Sequence, residues 1–288
     1  MTSYVLEAES AEEAVERAKQ QGSDAGSGFG PVDLWSALPI SDDEPYWLPK
    51  GWGVYCRRIQ GGVPEAQDLV RRCQQASVQW VGLMVEATDG FKVSLETTRT
   101  YAEVLQGAGI ETVVWTFPGE ARAASVQESR DAANLALTYA ETIGAAAVLL
   151  DIEAPYKGKP EELRTLIETA DFGLPEGATL GIVSYPVLSW HPTLDTSSFS
   201  LAQWGSPMLY ESAQDPKLIA RANTEWSALV DTLAPSLWTN GNLAQDIERV
   251  FGSTSTPSYQ GGPIWSEQSL TTLDRGVLTN ASEKYGWT

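Results

Sequence analysis

Two acids follow directly on an unbroken apolar run: Ala145 to Leu150 lead into Asp151, Ile152 and Glu153. On a strand, residues two apart point to the same side, so both carboxyls face one surface, with Asp151 one layer deeper. Two carboxyls that close cannot both ionise freely. The pair holds a proton, and the outer Glu153 becomes a general acid near neutral pH. The dry alanines and leucines beneath raise that pKa further. The competing role is structural: the two acids bind loop amides or cap a helix near Pro160. Acids placed straight after a fully apolar strand are unfavourable unless used, which favours chemistry.

The remaining inventory narrows that chemistry. The 288 residues include 19 basic and 38 acidic side chains, a net charge of −19, with 42% hydrophobic residues. A polyanion needs clustered Lys and Arg, so nucleic acid is not an expected partner. Only one histidine (His191) and two cysteines (Cys56 and Cys73) are present, without metal-ligand spacing. A His-based triad, a zinc site and a disulfide framework therefore lack raw material, and no cofactor or metal is expected. No apolar run reaches the ~18 residues of a membrane span. The N-terminus shows no basic head or apolar secretory stretch, so synthesis in the cytoplasm is the expectation. Carboxylates and aromatics remain, the latter including eleven Trp.

Elements that could position these groups recur from Trp52 onward with a period of roughly 30 residues. Apolar, β-rich runs at 52–57, 80–86, 110–116, 145–152, 179–184, 206–210, 236–239 and 262–266 alternate with helical patterns. The helices are expected at 64–78, 94–107, 125–143, 160–170, 215–234 and 243–251, with 195–203 only weakly helical. Ser125-x-x-Glu128 reads as a capping box. Strands without polar alternation are buried on both faces, as in parallel sheets. Eight such units point to an α/β fold, a closed (β/α)8 TIM barrel over 51–288. A doubly wound sheet is the competitor, but 58–65 is a poor phosphate turn. Residues 1–50 read as a separate N-terminal extension: a strand at 3–8, a helix at 10–20 opened by Ser10-x-x-Glu13, then a Gly/Ser/Pro-rich linker.

Active sites of such barrels lie at the C-terminal strand ends. Those ends carry Glu86, Trp115, Asp151 and Glu153, Tyr185, Tyr210 and Glu211, Trp238, and Trp265. Acids and aromatics on one rim suit a neutral polyhydroxyl ligand, with indole faces stacking on sugar C–H faces. Glu86, Trp115, Tyr185, Trp238 and Trp265 are the expected substrate contacts. Trp80, Trp204 and Trp226 fall at strand starts or within a helix and are expected in the core. His191, in a loop, is assigned no role.

Leu150-Asp151-Ile152-Glu153, Met208-Leu209-Tyr210-Glu211 and Trp265 resemble the strand-4, strand-6 and strand-8 motifs of glycoside hydrolase family 18, the chitinase-like barrels. The strand-4 motif and Gly181-Ile182-Val183-Ser184-Tyr185 also resemble the family 25 lysozyme-type muramidases. The resemblance implies that Glu153 protonates the glycosidic oxygen and Asp151 orients the substrate N-acetyl group. Tyr210 would hydrogen-bond the attacking acetamide carbonyl, and Trp265 would form the floor of the sugar site. Glu211 stands where the first family has Asp. The chain departs from family 18 at Ala146, Ala147 and Leu149, and from family 25 at Val54, Tyr55 and Cys56.

Strands 4 and 6 are separated by one strand, so their ends lie about 9–10 Å apart. A retaining carboxyl pair needs about 5–5.5 Å, so Glu153 with Glu211 is a poor double-displacement pair, and substrate assistance, or inversion with Glu211 or Glu86 as base, fits better. The expected function is hydrolysis of an N-acetylhexosamine polymer such as peptidoglycan or chitin. A second possibility is a catalytically eroded, glycan-binding or structural barrel carried in a phage or phage-tail-like particle, with residues 1–50 as attachment to a particle partner. A third, a small-metabolite enzyme, lacks the phosphate-binding glycines expected after strands 7 and 8.

Overall fold

A computed structural model describes residues 47–57, 59–88, 90–239, 242–252, 259, 261–266 and 271–287. The strand, helix and linker expected within 1–46, and any attachment role, lie outside the described residues. The apolar runs form nine parallel strands: β1 (Gly51–Cys56), β2 (Val78–Glu86), β3 (Glu111–Thr116), β4 (Ala147–Asp151), β5 (Thr179–Ser184), β6 (Trp204–Pro207), β7 (Thr232–Leu233), β8 (Leu237–Trp238) and β9 (Gly261–Trp265). Their order in the sheet is β7-β6-β5-β4-β3-β2-β1-β9-β8.

Nine strands make eight staves, because β7 and β8 are two halves of one. Pro235, which has no N–H to donate to a ladder, separates them. Ala234 N–H donates to Gly205 O (2.8 Å) and Ser236 N–H to Pro207 O (2.9 Å), while β8 pairs with β9. Leu209 N–H returns to Ser236 O at 2.9 Å. Chain continuity through Pro235 thus closes the wall, and the fold is an α/β barrel of the (β/α)8 type.

Both faces of the staves are buried, as the lack of polar alternation requires. Val54, Leu83, Val114, Leu150 and Ile182 point outward into the layer beneath the helices. Tyr55, Trp80, Met84, Val113, Trp115, Leu149, Val183 and Trp204 fill the interior. Two indoles occupy the N-terminal end, and glycines make room for them. A β-carbon on Gly53 would fall 2.1 Å from the Trp80 ring, and one on Gly181 would fall 2.2 Å from Trp204. Trp47 packs edge-on against both rings, at 6.1 and 6.3 Å between centroids. Thr179 Oγ1 donates to Trp47 O (2.9 Å). This end of the barrel is filled, and Trp80, Trp204 and Trp226 are all core, as expected.

The helices are α1 (Val63–Gln75), α2 (Leu95–Gln106), α3 (Val126–Ile143), α4 (Pro160–Phe172), α5 (Pro216–Trp226), α6 (Leu243–Phe251) and α7 (Thr272–Tyr285). Three differ from expectation. The pattern at 215–234 stops being helical at Trp226, because Thr232 and Leu233 are drawn into the wall beside β6. Helix α7 was not read from the sequence, although Thr271-x-x-Asp274 forms a complete capping box there. At α3 only the serine half of the expected box forms. Ser125 Oγ accepts from Glu128 N–H, but the Glu128 carboxylate turns to Arg122 instead (3.3 Å).

Candidate active site

The end of β4 presents its acids as strand parity dictates. Between them Ile152 is anchored in the outer layer. Its N–H donates to Val183 O (2.9 Å), and its carbonyl accepts from the Ser184 hydroxyl. With Ile152 pinned outward, Asp151 and Glu153 point to the barrel axis. Asp151 is 5% exposed, and Glu153 is half-buried above it.

Trp115 Nε1–H donates to Asp151 Oδ2 (3.2 Å), while Oδ1 has no donor among the described residues. The Asp151 and Glu153 carboxyls are close enough to share a hydrogen bond once either is protonated. Burial, then the Glu153 charge, holds the Asp151 carboxyl well above the usual carboxylate range. Burial also raises Glu153, partly offset by the Asp151 hydrogen bond and by Lys157. Both carboxyls are thus pushed toward the protonated form, the deeper Asp151 more strongly. Complete desolvation of the lower carboxyl outweighs partial desolvation of the upper one.

A raised carboxyl pKa means that the folded protein binds protons more tightly than the unfolded chain. Its stabilising contribution is full below the unfolded value of about 3.9 and is lost as pH rises through the folded value. Asp151→Asn removes that loss. Urea unfolding at pH 4.5 and 7.5 should show the variant gaining stability relative to wild type at the higher pH; a pH-independent difference would refute the shift.

Tyr210, beyond β6, faces the pair. Burial, then the charges of Asp151, Tyr55 and Glu153, keep its hydroxyl protonated far above neutral pH. It is a hydrogen-bond donor there, not a base. The Trp238 ring lies 5.9 Å from Tyr210. Trp265, half-buried, stands edge-on to Trp115 (5.3 Å) and Tyr55 (6.1 Å), with a cis peptide to Ser266. Beneath them the Tyr55 ring stacks on Trp115 (4.8 Å), and its hydroxyl meets Ser206 Oγ (3.3 Å) and Ser236 Oγ (3.2 Å). Tyr185 packs at the end of β5. The Glu211 backbone opens a short 3-10 turn, Glu211–Gln214, and its side chain lies outside the described residues.

Asp151, Glu153, Tyr210, Trp238 and Trp265 thus gather at one end of the barrel. Two expected contacts do not join them. Trp115 is fully buried and serves Asp151 rather than an outside ligand. Glu86 faces away from the mouth, because a bulge between Met84 and Glu86 puts Val85 and Glu86 on the outer side. Its carboxylate is held there by Arg122 (3.0 Å) and Lys92 (3.2 Å). Two further side chains meet beside this end: Lys157, which sequence reasoning did not single out, and His191, to which it assigned no role. The Lys157 ammonium lies 4.4 Å from the Tyr185 ring centroid, and that ring stacks on the His191 imidazole at 3.7 Å. Nothing in residue spacing signals a meeting between the loops after β4 and β5.

A cavity of about 430 Å³ lies elsewhere, lined by Cys56, Gln60, Glu65, Asp68 and Tyr101 near β1, α1 and α2. It contains none of the acids at the mouth.

No family model and no curated protein matches the chain. Solved structures of similar fold include a GH18 chitinase from Pseudoalteromonas aurantia, at 12% identity and TM-score 0.62, covering 81% of this chain and 99% of that one. A GH113 beta-1,4-mannanase aligns at 10% identity and TM-score 0.63, covering 81% and 98%. The spore cortex-lytic enzyme SleL of Bacillus cereus aligns at 11% identity and TM-score 0.56, covering 81% and 74%. At such identities the likeness is one of architecture, and it agrees with the closed eight-stave wall described above.

Proposed function

We propose that the protein is a glycoside hydrolase acting on an N-acetylhexosamine-containing polysaccharide, with Glu153 as general acid. The observation that carries this reading is the proton-sharing pair at the end of β4. Its upper member is partly open, and its lower member is sealed with one oxygen otherwise unmatched. The fold likeness to chitinases, a mannanase and a cortex-lytic enzyme supports the same class of chemistry.

In this scheme a sugar settling on the mouth excludes water from Glu153. The shared proton moves from Asp151 to Glu153 and then to the glycosidic oxygen as the C–O bond breaks. The ionised Asp151 orients the acetamide N–H, and Tyr210 donates to the acetamide carbonyl oxygen as that oxygen attacks the anomeric carbon. Water then reopens the cyclic intermediate and returns its proton to the pair. Substrate assistance fits because Asp151 lies below Glu153 on the same strand, out of line for attack. Reducing-end release from chitin and peptidoglycan oligomers by wild type and Glu153→Gln tests the proposal.

Trp265 is the proposed floor under the sugar. Trp265→Ala should forfeit about 1.5–3 kcal/mol of apolar contact, or roughly 10–100-fold in KM. An unchanged KM in a folded variant would remove it from the site.

The apolar Ala147 and Leu149 below the pair keep the second reading in view, a barrel that binds glycan without cleaving it. Tight binding with no turnover by wild type would select that reading.

A further inference from the structure

In a chain with 38 acidic residues, several of the described cations are held by a carboxylate. Arg122 and Lys92 hold Glu86, Lys159 Nζ lies 2.8 Å from Glu120, and Arg221 Nε lies 2.9 Å from Glu225. Lys157 is different. Among the described residues it makes no ion pair, and its recorded neighbour is the face of Tyr185, itself stacked on His191. Its place is well fixed. It follows the short 3-10 turn Ala154–Tyr156, whose Tyr156 is fully buried, and the next residue, Gly158, donates its N–H to Thr193 O (2.7 Å). Lys157 is thus a half-buried residue four positions after Glu153, and its charge reaches the Glu153 carboxyl.

For a neutral sugar that position is counterproductive. A cation near Glu153 favours the ionised carboxylate and works against a general acid. It acts on Glu153 in this sense, and together with burial it lowers the pKa of His191, so the imidazole adds no second positive charge near neutral pH. A ligand anion seated on Lys157 would cancel this effect and return the proton to Glu153. It would also overcome the repulsion that a chain of net charge −19 exerts on any acidic ligand.

We propose that Lys157 seats a carboxylate carried by the substrate, so that the mouth takes an acidic N-acetylhexosamine glycan of the N-acetylmuramyl type in preference to neutral chitin. The Tyr185 and His191 rings form the wall against which the ammonium is oriented. The proposal rests on the hydrolase reading for its substrate class, but its test separates the two.

Binding by calorimetry and hydrolysis would be measured with a chitin oligomer and with a peptidoglycan-derived N-acetylglucosamine–N-acetylmuramic acid oligomer, for wild type and Lys157→Gln. A charge-assisted contact predicts that wild type favours the carboxylated oligomer by about tenfold or more. Lys157→Gln should lose that preference while binding the neutral oligomer as before. Chemical reduction of the lactyl carboxylates should abolish the preference in wild type. Equal affinity for both oligomers, equal loss on both in the variant, or binding of neither would overturn the proposal. Lys157-dependent binding without cleavage would sustain it and sink the hydrolase reading. Cleavage of both oligomers at equal efficiency would do the reverse.

Discussion

Glu153→Gln is expected to lower kcat on a cleaved N-acetylhexosamine oligomer by about 10²–10⁴-fold, the usual range for removing a positioned general acid. Gln keeps the shape of the side chain and a donor toward Asp151, but has no proton to deliver. KM and the thermal midpoint should change little, because Glu153 is half-buried and the anchors of its segment belong to Ile152 and Tyr156. The basic limb of the pH–rate profile should vanish with it, since that limb reports loss of the acid proton. Wild-type-like turnover by this variant would end the proposed mechanism. The proton-sharing geometry would then be a structural device under the mouth.

Gly181→Ala is expected to be strongly disruptive for the addition of a single methyl group. The added carbon would fall 2.2 Å from the Trp204 indole. That ring has no room to retreat, because Trp80 lies 6.0 Å away and Trp47 6.3 Å away, both edge-on. Overpacking of this kind costs about 1–3 kcal/mol or more. Urea unfolding should show it as a lower midpoint with an unchanged slope. Adding Trp204→Leu should recover part of the loss, because a smaller side chain vacates the contested volume. Two substitutions whose costs simply added would mean that the ring is not the obstacle.

Much of the wall was legible because its staves are buried on both sides. Continuous apolar runs such as Val148-Leu149-Leu150 and Ile182-Val183 leave no other economical explanation. The acid pair was legible for a similar reason, since strand parity alone places Asp151 below Glu153. What parity cannot supply is an irregularity. The bulge after Met84 moves Glu86 to the outer side, and no residue type near it announces the bulge. The interrupted seventh stave was only half seen, because the five residues between Trp226 and Thr232 carry no Gly or Pro to mark the end of the helix, and Thr232 and Leu233 were absorbed into it. Trp115 was misjudged because its strand ends one residue later, yet Tyr55 and Trp265 close over it. Relative burial within the pair was not legible, because it is set by neighbours on other strands. The meeting of Lys157 with Tyr185 and His191 was illegible for a related reason: Tyr185 lies on a different loop from Lys157, and loop meetings leave no periodic trace.

The seam at Pro235 changes how the barrel resists being prised apart. Beside β6 the junction relies on a few amides and on the cluster of Tyr55, Ser206 and Ser236 hydroxyls, with Ser206 Oγ also donating to Ala234 O (2.6 Å). Side-chain rotation can undo such a latch without breaking a strand. Tyr210 and Trp238 stand at its upper edge, so under the proposed function a loosened seam would widen the rim beside the sugar site.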